Sequence, residues 1–176
     1  RCEKVNQLSM PKLDEVIAVT GAIIENSNHG SECLVHGDFC FSNIFYDFRS
    51  MLIQVIDPRG ALPDGTISLY GLQTYDIAKL GHSVLGGYDA IMSNYLVSKM
   101  EGINIQFETS FLGSERWRNV SDAFEKSAIY LRYEKPFTYA MIINLFLSMI
   151  PLHSDRPDRQ VSMYARAMQL YTEQLS

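Results

Sequence analysis

Two β-rich runs, Asn43–Tyr46 and Met51–Ile56, stand near one another in the first third of a chain whose later pattern is helical. Turn formers from Asp47 to Ser50 separate them, so the pair reads as a β-hairpin. Asp57-Pro58-Arg59-Gly60 ends the second run, because proline cannot donate to a ladder and glycine weakens one. This hairpin excludes an all-helical bundle. It also fixes the coarse class: an α+β domain, mainly α, with helices arranged around an early hairpin.

The helices follow from periodicity and caps. Ser9 and Pro11 suggest a helix start, and Leu13, Val16, Ile17, Ile23 and Ile24 continue it. Cys33-Leu34-Val35 is a short apolar run, and Gly60 to Gly71 reads as an exposed loop. From Thr74 the spacing of Ile77, Leu80, Val84 and Leu85 predicts a helix that Gly86-Gly87 stops. Further helices are expected over Tyr88–Met100, Ser114–Tyr133, Phe137–Ile150 and Pro157–Leu175, with an extended segment over Gly102–Thr109. Tyr139 to Leu152 is apolar but is broken by Pro151; it reads as a buried helix, not a membrane span. Trp117 and the Met141–Met149 stripe read as core.

At 176 residues and 47% hydrophobic content the chain can bury one core, and 1–176 is expected to be a single domain. A formal charge of −5 lacks the basic footprint of a nucleic-acid binder, so no nucleic-acid partner is expected, and with the apolar stretch too short to span a bilayer no membrane partner is expected either. Cys2, Cys33 and Cys40 match no zinc or disulfide spacing and read as reduced thiols of a cytoplasmic protein.

The polar residues that carry chemistry flank the hairpin. His36-Gly37-Asp38 and Ser42-Asn43 precede it, and Asp57 follows it, giving H-x-D-x-x-x-x-N and then an acid at a strand end. A carboxylate in such a loop can accept or orient the proton of an attacking hydroxyl. An amide oxygen and a second carboxylate suit hard Mg²⁺, which prefers oxygen ligands. Protein kinases use H-R-D-x-x-x-x-N and a later acid in this way.

Leu34-Val35-His36-Gly37-Asp38, Ser42-Asn43-Ile44, Val55-Ile56-Asp57 and Tyr75-Asp76-Ile77-Ala78-Lys79-Leu80 together resemble the aminoglycoside phosphotransferase and choline kinase superfamily. The Gly at position 37, where protein kinases have Arg, is the form this family uses. The resemblance covers Leu34 to Leu80, and the helical remainder fits in character only. Where the family often has a Gly-Asp-Pro-like run, Gly71-Leu72-Gln73 keeps only the glycine.

The resemblance implies a protein-kinase-like fold and transfer of the γ-phosphate of ATP or another nucleoside triphosphate to an alcohol, such as a sugar or amino alcohol. It implies that Asp38 is the catalytic base, that Asn43 and Asp57 bind Mg²⁺ and through it the nucleotide, and that Asp76 braces the catalytic loop. It further implies that this chain is the carboxy-terminal lobe, partnered by an upstream amino-terminal lobe of the same protein. Without that lobe, exposed apolar surface and self-association are expected. The alternative is a catalytically silent kinase-like binding or scaffold module. His36, His82 and His153 read as structural, Arg59 as solvated or ion-paired, and Cys40 as lacking a base partner that would make it a nucleophile.

Overall fold

A computed structural model describes residues 4–62 and 64–176; Cys2 and Pro63 lie outside the described residues. The architecture is α+β and mainly α. Strands β1 (Lys4–Val5) and β2 (Leu8–Ser9) open the chain, so Ser9 is a strand residue and not a helix cap. Helix α1 (Leu13–Glu25) starts later, with Lys12 at the cap position and Asp14 and Glu15 complementing its N-terminal dipole. Of its apolar stripe only Val16 is fully buried, while Leu13 and Ile17 face outward.

β3 (Glu32–Leu34) is followed by a 3-10 turn at Phe41–Asn43, then by β4 (Ile44–Asp47) and β5 (Leu52–Val55). β4 and β5 form the expected antiparallel hairpin, in the register Ile44↔Val55 to Asp47↔Leu52. The Asp47 carboxylate accepts from Arg49 N at 2.9 Å and from Ser50 Oγ at 2.6 Å, which closes the turn and holds that carboxyl below its ordinary range. The stretch read as a loop up to Gly71 ends in a strand, β6 (Tyr70–Leu72), which pairs antiparallel with β3. A three-residue strand containing glycine has no alternation to reveal it.

α2 (Gln73–Val84) then packs against β3 and β6. The helix expected over Tyr88–Met100 is cut short: α3 covers only Tyr88–Met92. Asn94, at φ +61°, turns the chain, and β7 (Ser98–Glu101) pairs with β8 (Asn104–Phe107). β8 also pairs in parallel with β1, giving a four-stranded sheet in the order β2-β1-β8-β7. α4 (Glu115–Glu125) begins at Ser114, whose Oγ accepts from Trp117 N at 3.3 Å. It ends well before the expected Tyr133: Lys126 and Ser127 turn it, and a separate 3-10 turn follows at Tyr130–Arg132.

α5 (Lys135–Met149) is the central helix, continued by a 3-10 turn at Ile150–His153. By length and composition the continuous Lys135–His153 stretch matches a membrane span, a longer run than the sequence suggested. In the fold it packs on α1, α2 and the last helix, α6 (Pro157–Gln174). Ile142, Ile143 and Phe146 on α5 meet Met163 and Met168 of α6 in one core. Each such side chain stabilises the fold by about 1.5–3 kcal/mol relative to exposure. Trp117 is half-buried against Phe41 and Phe111.

Charged side chains are buried as well, among them Arg166. Arg166 is 6% exposed, and burial pushes its guanidinium down to about 10, still cationic at neutral pH. It donates through Nε to Gly86 O at 3.0 Å, through Nη2 to Leu85 O at 2.9 Å and through Nη1 to Gln169 Oε1 at 2.8 Å. It thereby satisfies carbonyls at the C-terminal end of α2, where the helix dipole favours a cation. Arg166→Met is expected to destabilise the protein by about 2–4 kcal/mol, because buried acceptors lose their donors. The urea midpoint measures it.

Candidate functional site

The loop between β3 and β4 is built as a set of satisfied backbone groups. Gly37 has φ +76°, and a Cβ there would lie 2.9 Å from Arg59 Cβ. Glycine is therefore required twice over, by the left-handed conformation and by the close approach of the segment after β5. Arg59 N donates to His36 O at 2.8 Å, and Ile56 N donates to Asn43 O at 3.0 Å. These bonds join the loop before the hairpin to the segment after it. His36 closes the same joint: its Nε2 bonds Ile56 O at 2.8 Å, and its Nδ1 accepts from Asp38 N at 3.3 Å. The imidazole is a strut, as its sequence reading has it.

Helix α2 grips this loop along one face. Asp76 Oδ2 accepts from His36 N at 2.7 Å, and Oδ1 accepts from Gly37 N at 2.8 Å. One turn on, Lys79 Nζ meets Asp38 Oδ1 at 2.6 Å. Another turn on, Ser83 Oγ accepts from Phe41 N at 3.2 Å. Residues at i, i+3 and i+7 share a helix face, so one stripe reads the loop in sequence order. Asp89 of α3 adds a further tie, with Oδ1 accepting from Ser42 N at 3.1 Å. Lys79, Ser83 and Asp89 were not singled out from the sequence. The available signal was the polar stripe itself, on a helix whose neighbouring positions are apolar.

Asn43 is buried and joins Asp38 directly. Its Nδ2 donates to Asp38 O at 2.9 Å and to Asp38 Oδ2 at 3.1 Å. The amide nitrogen is thus committed to the loop, which leaves the amide oxygen as a hard donor. Asp57 follows β5 in the left-handed conformation, φ +57°. A non-glycine residue there costs about 1–2 kcal/mol and redirects the chain. Asp38 and Asp57 line one cavity of about 320 Å³, together with Cys40, Ser42, Arg59 and Lys79. Asp38 and Asp57 thus share a cavity, and Asn43 is tied to Asp38 beside it.

The donor set suits Mg²⁺ better than zinc. Among the described residues no group of three or more His, Cys, Asp or Glu side chains could hold a metal. Asn43 and Asp57 supply an amide oxygen and a carboxylate, and Mg²⁺ is held by one or two carboxylates completed by water and phosphate oxygens. Arg59 forms no ion pair among the described residues; its guanidinium lies 5.4 Å from the centre of the Tyr75 ring. Cys40 is buried with Sγ 3.2 Å from Ser42 Oγ.

Behind the site, His82 is fully buried and stacks on Tyr88 at 4.6 Å and edge-on to Phe146 at 4.0 Å. Burial, and then the charge of Lys79, hold its pKa well below the ordinary value. The unfolded chain therefore takes up a proton before the folded one. Stability from this residue is full above the unfolded value of about 6.5 and falls as pH drops below it, by at most about 1.4 kcal/mol per pH unit. We expect His82→Leu to flatten the decline in urea stability between about pH 6.5 and 5.

No protein-family model, no curated protein and no solved structure matches this chain.

Proposed function

We propose that this chain is the carboxy-terminal lobe of a protein-kinase-like small-molecule phosphotransferase, using Mg²⁺ and ATP or another nucleoside triphosphate to phosphorylate an alcohol. The observation that carries the reading is the joint at the hairpin. The Asp38 and Asp57 carboxylates line one cavity, and Asn43 is bonded to Asp38 beside it. This arrangement supports the reading suggested by the spacing H-x-D-x-x-x-x-N and a later acid.

In this reading Asp38 accepts the proton of the acceptor hydroxyl. Its two oxygens have four acceptor sites, so the bonds to Lys79 and Asn43 leave room for that hydroxyl. Asn43, through its amide oxygen, and Asp57 would hold Mg²⁺. When bound, the metal would neutralise charge on the phosphates. Asp76 and His36 keep the loop rigid, so that positioning is complete before substrate arrives.

The hairpin supports a second lobe. Phe45, Leu52, Ile53 and Val55 are all about half exposed or more, and Phe48 at the turn is 81% exposed. By its register Phe45 and Leu52 lie on one face of the ribbon and Ile53 and Val55 on the other, and a two-stranded ribbon with apolar side chains in water on both faces is poorly stable alone. We assign it to contact with the amino-terminal lobe, which would also wall the nucleotide. Residues 1–176 alone are then expected to bind Mg-ATP weakly or undetectably, because half the cleft is missing while the ordering cost remains. Calorimetric titration beside the protein carrying both lobes tests this. Micromolar binding and multiple turnovers by residues 1–176 alone would contradict it.

A further inference from the structure

A buried cation lines the same cavity. Lys79 is 2% exposed, and burying an ammonium costs several kcal/mol unless it is paired. Its pairing is one-sided. Nζ lies 2.6 Å from Asp38 Oδ1, and the Tyr88 ring centre is 5.9 Å away. Asp38 is its one carboxylate partner among the described residues. The two partners are also unequal: the Lys79 side chain is 3% exposed and that of Asp38 is 36% exposed. On the Asp38 side the pair opens into the cavity that also holds Asp57 and Arg59.

We propose that Lys79 is a catalytic residue of this site, contacting an oxygen of the phosphoryl group as it moves. The proposal rests on the phosphotransfer reading above. The acceptor oxygen forms a bond to the γ-phosphorus as its proton passes to Asp38. The bond from that phosphorus to the β,γ-bridging oxygen breaks, and its electron pair leaves with the nucleoside diphosphate. Lys79 keeps its proton throughout. Once Asp38 is protonated, the buried ammonium has lost its counter-ion. The equatorial phosphoryl oxygens, which carry the spread charge, replace it. The interaction therefore strengthens as the reaction proceeds, and an interaction of that kind appears in kcat, not in KM.

The test uses the complete protein with an alcohol acceptor. Lys79→Met is expected to lower kcat by about 100-fold or more, with KM for Mg-ATP and for the acceptor within about threefold of the parent. Lys79→Arg, which keeps the cation, is expected to recover at least about tenfold of that loss. A kcat within about threefold of the parent in Lys79→Met, or a loss confined to KM, overturns the proposal while leaving the phosphotransfer reading standing.

If the parent protein shows no turnover, that reading fails, and binding of Mg²⁺-tripolyphosphate decides the role of Lys79. Asp38→Asn with Lys79→Met deletes both charges and so avoids leaving either unpaired. It should bind at least about tenfold more weakly than Asp38→Asn alone. Equal binding, or no binding by either, overturns the proposal.

Discussion

Asp38→Asn should lower kcat of the complete protein by on the order of 10³-fold, and should also lower its urea midpoint because the buried Lys79 ammonium loses its carboxylate. The amide has the shape of the carboxylate and can still accept from Asn43 Nδ2, which donates to Asp38 Oδ2 at 3.1 Å in the parent. It cannot take a proton from an alcohol, and it cannot balance the Lys79 ammonium 2.6 Å away. The loss should therefore lie in kcat. Asp57→Ala should match it in depth but differ in kind, because it removes a proposed metal ligand. Its activity should recover in part as Mg²⁺ is raised, whereas that of Asp38→Asn should not. A steady-state comparison of the two variants across Mg²⁺ concentrations separates the two roles.

Asp76→Ala should damage both activity and stability. Its carboxylate is the acceptor for His36 N and Gly37 N, at 2.7 and 2.8 Å. Bonds to a charged acceptor are worth more than neutral ones, and their donors cannot re-pair within a loop already committed to Arg59 and Asn43. We expect a cost of about 2–4 kcal/mol, read as a lowered urea midpoint, with activity reduced because Gly37 no longer fixes the start of the loop. Asp76→Asn keeps one acceptor oxygen and should fall between. Unchanged stability in Asp76→Ala would show that the brace is ornamental.

The hairpin was legible because its two strands are β-rich and bounded by residues with their own turn chemistry, Asp47 and Ser50 on one side and Pro58 and Gly60 on the other. The buried character of α5 was legible from composition alone. What was not legible depended on partners far away in sequence. β6 exists because β3 lies beside it, through Glu32↔Leu72 and Leu34↔Tyr70, and three residues cannot announce that. β7 was read as the tail of a helix because Ser98–Glu101 has no alternation of its own; its register with β8 makes it a strand. Asp38, Asn43 and Asp57 could be picked out by spacing. Lys79 could not, since a lysine among Ala78 and Leu80 looks like any solvated helix residue until its burial against Asp38 is seen. Read as a set, Asp76, Lys79 and Ser83 form a polar face on an apolar helix, and that face is where the loop is held.

The most direct test of this account is phosphoryl transfer itself. The complete protein, Mg²⁺ and ATP labelled in the γ-phosphate would be incubated with a panel of sugars, amino alcohols and related metabolites, beside Asp38→Asn. The account predicts label in an alcohol phosphate ester, dependent on Mg²⁺ and reduced on the order of 10³-fold by Asp38→Asn. A folded parent protein that labels no alcohol, or transfer that proceeds equally well in Asp38→Asn, would contradict it.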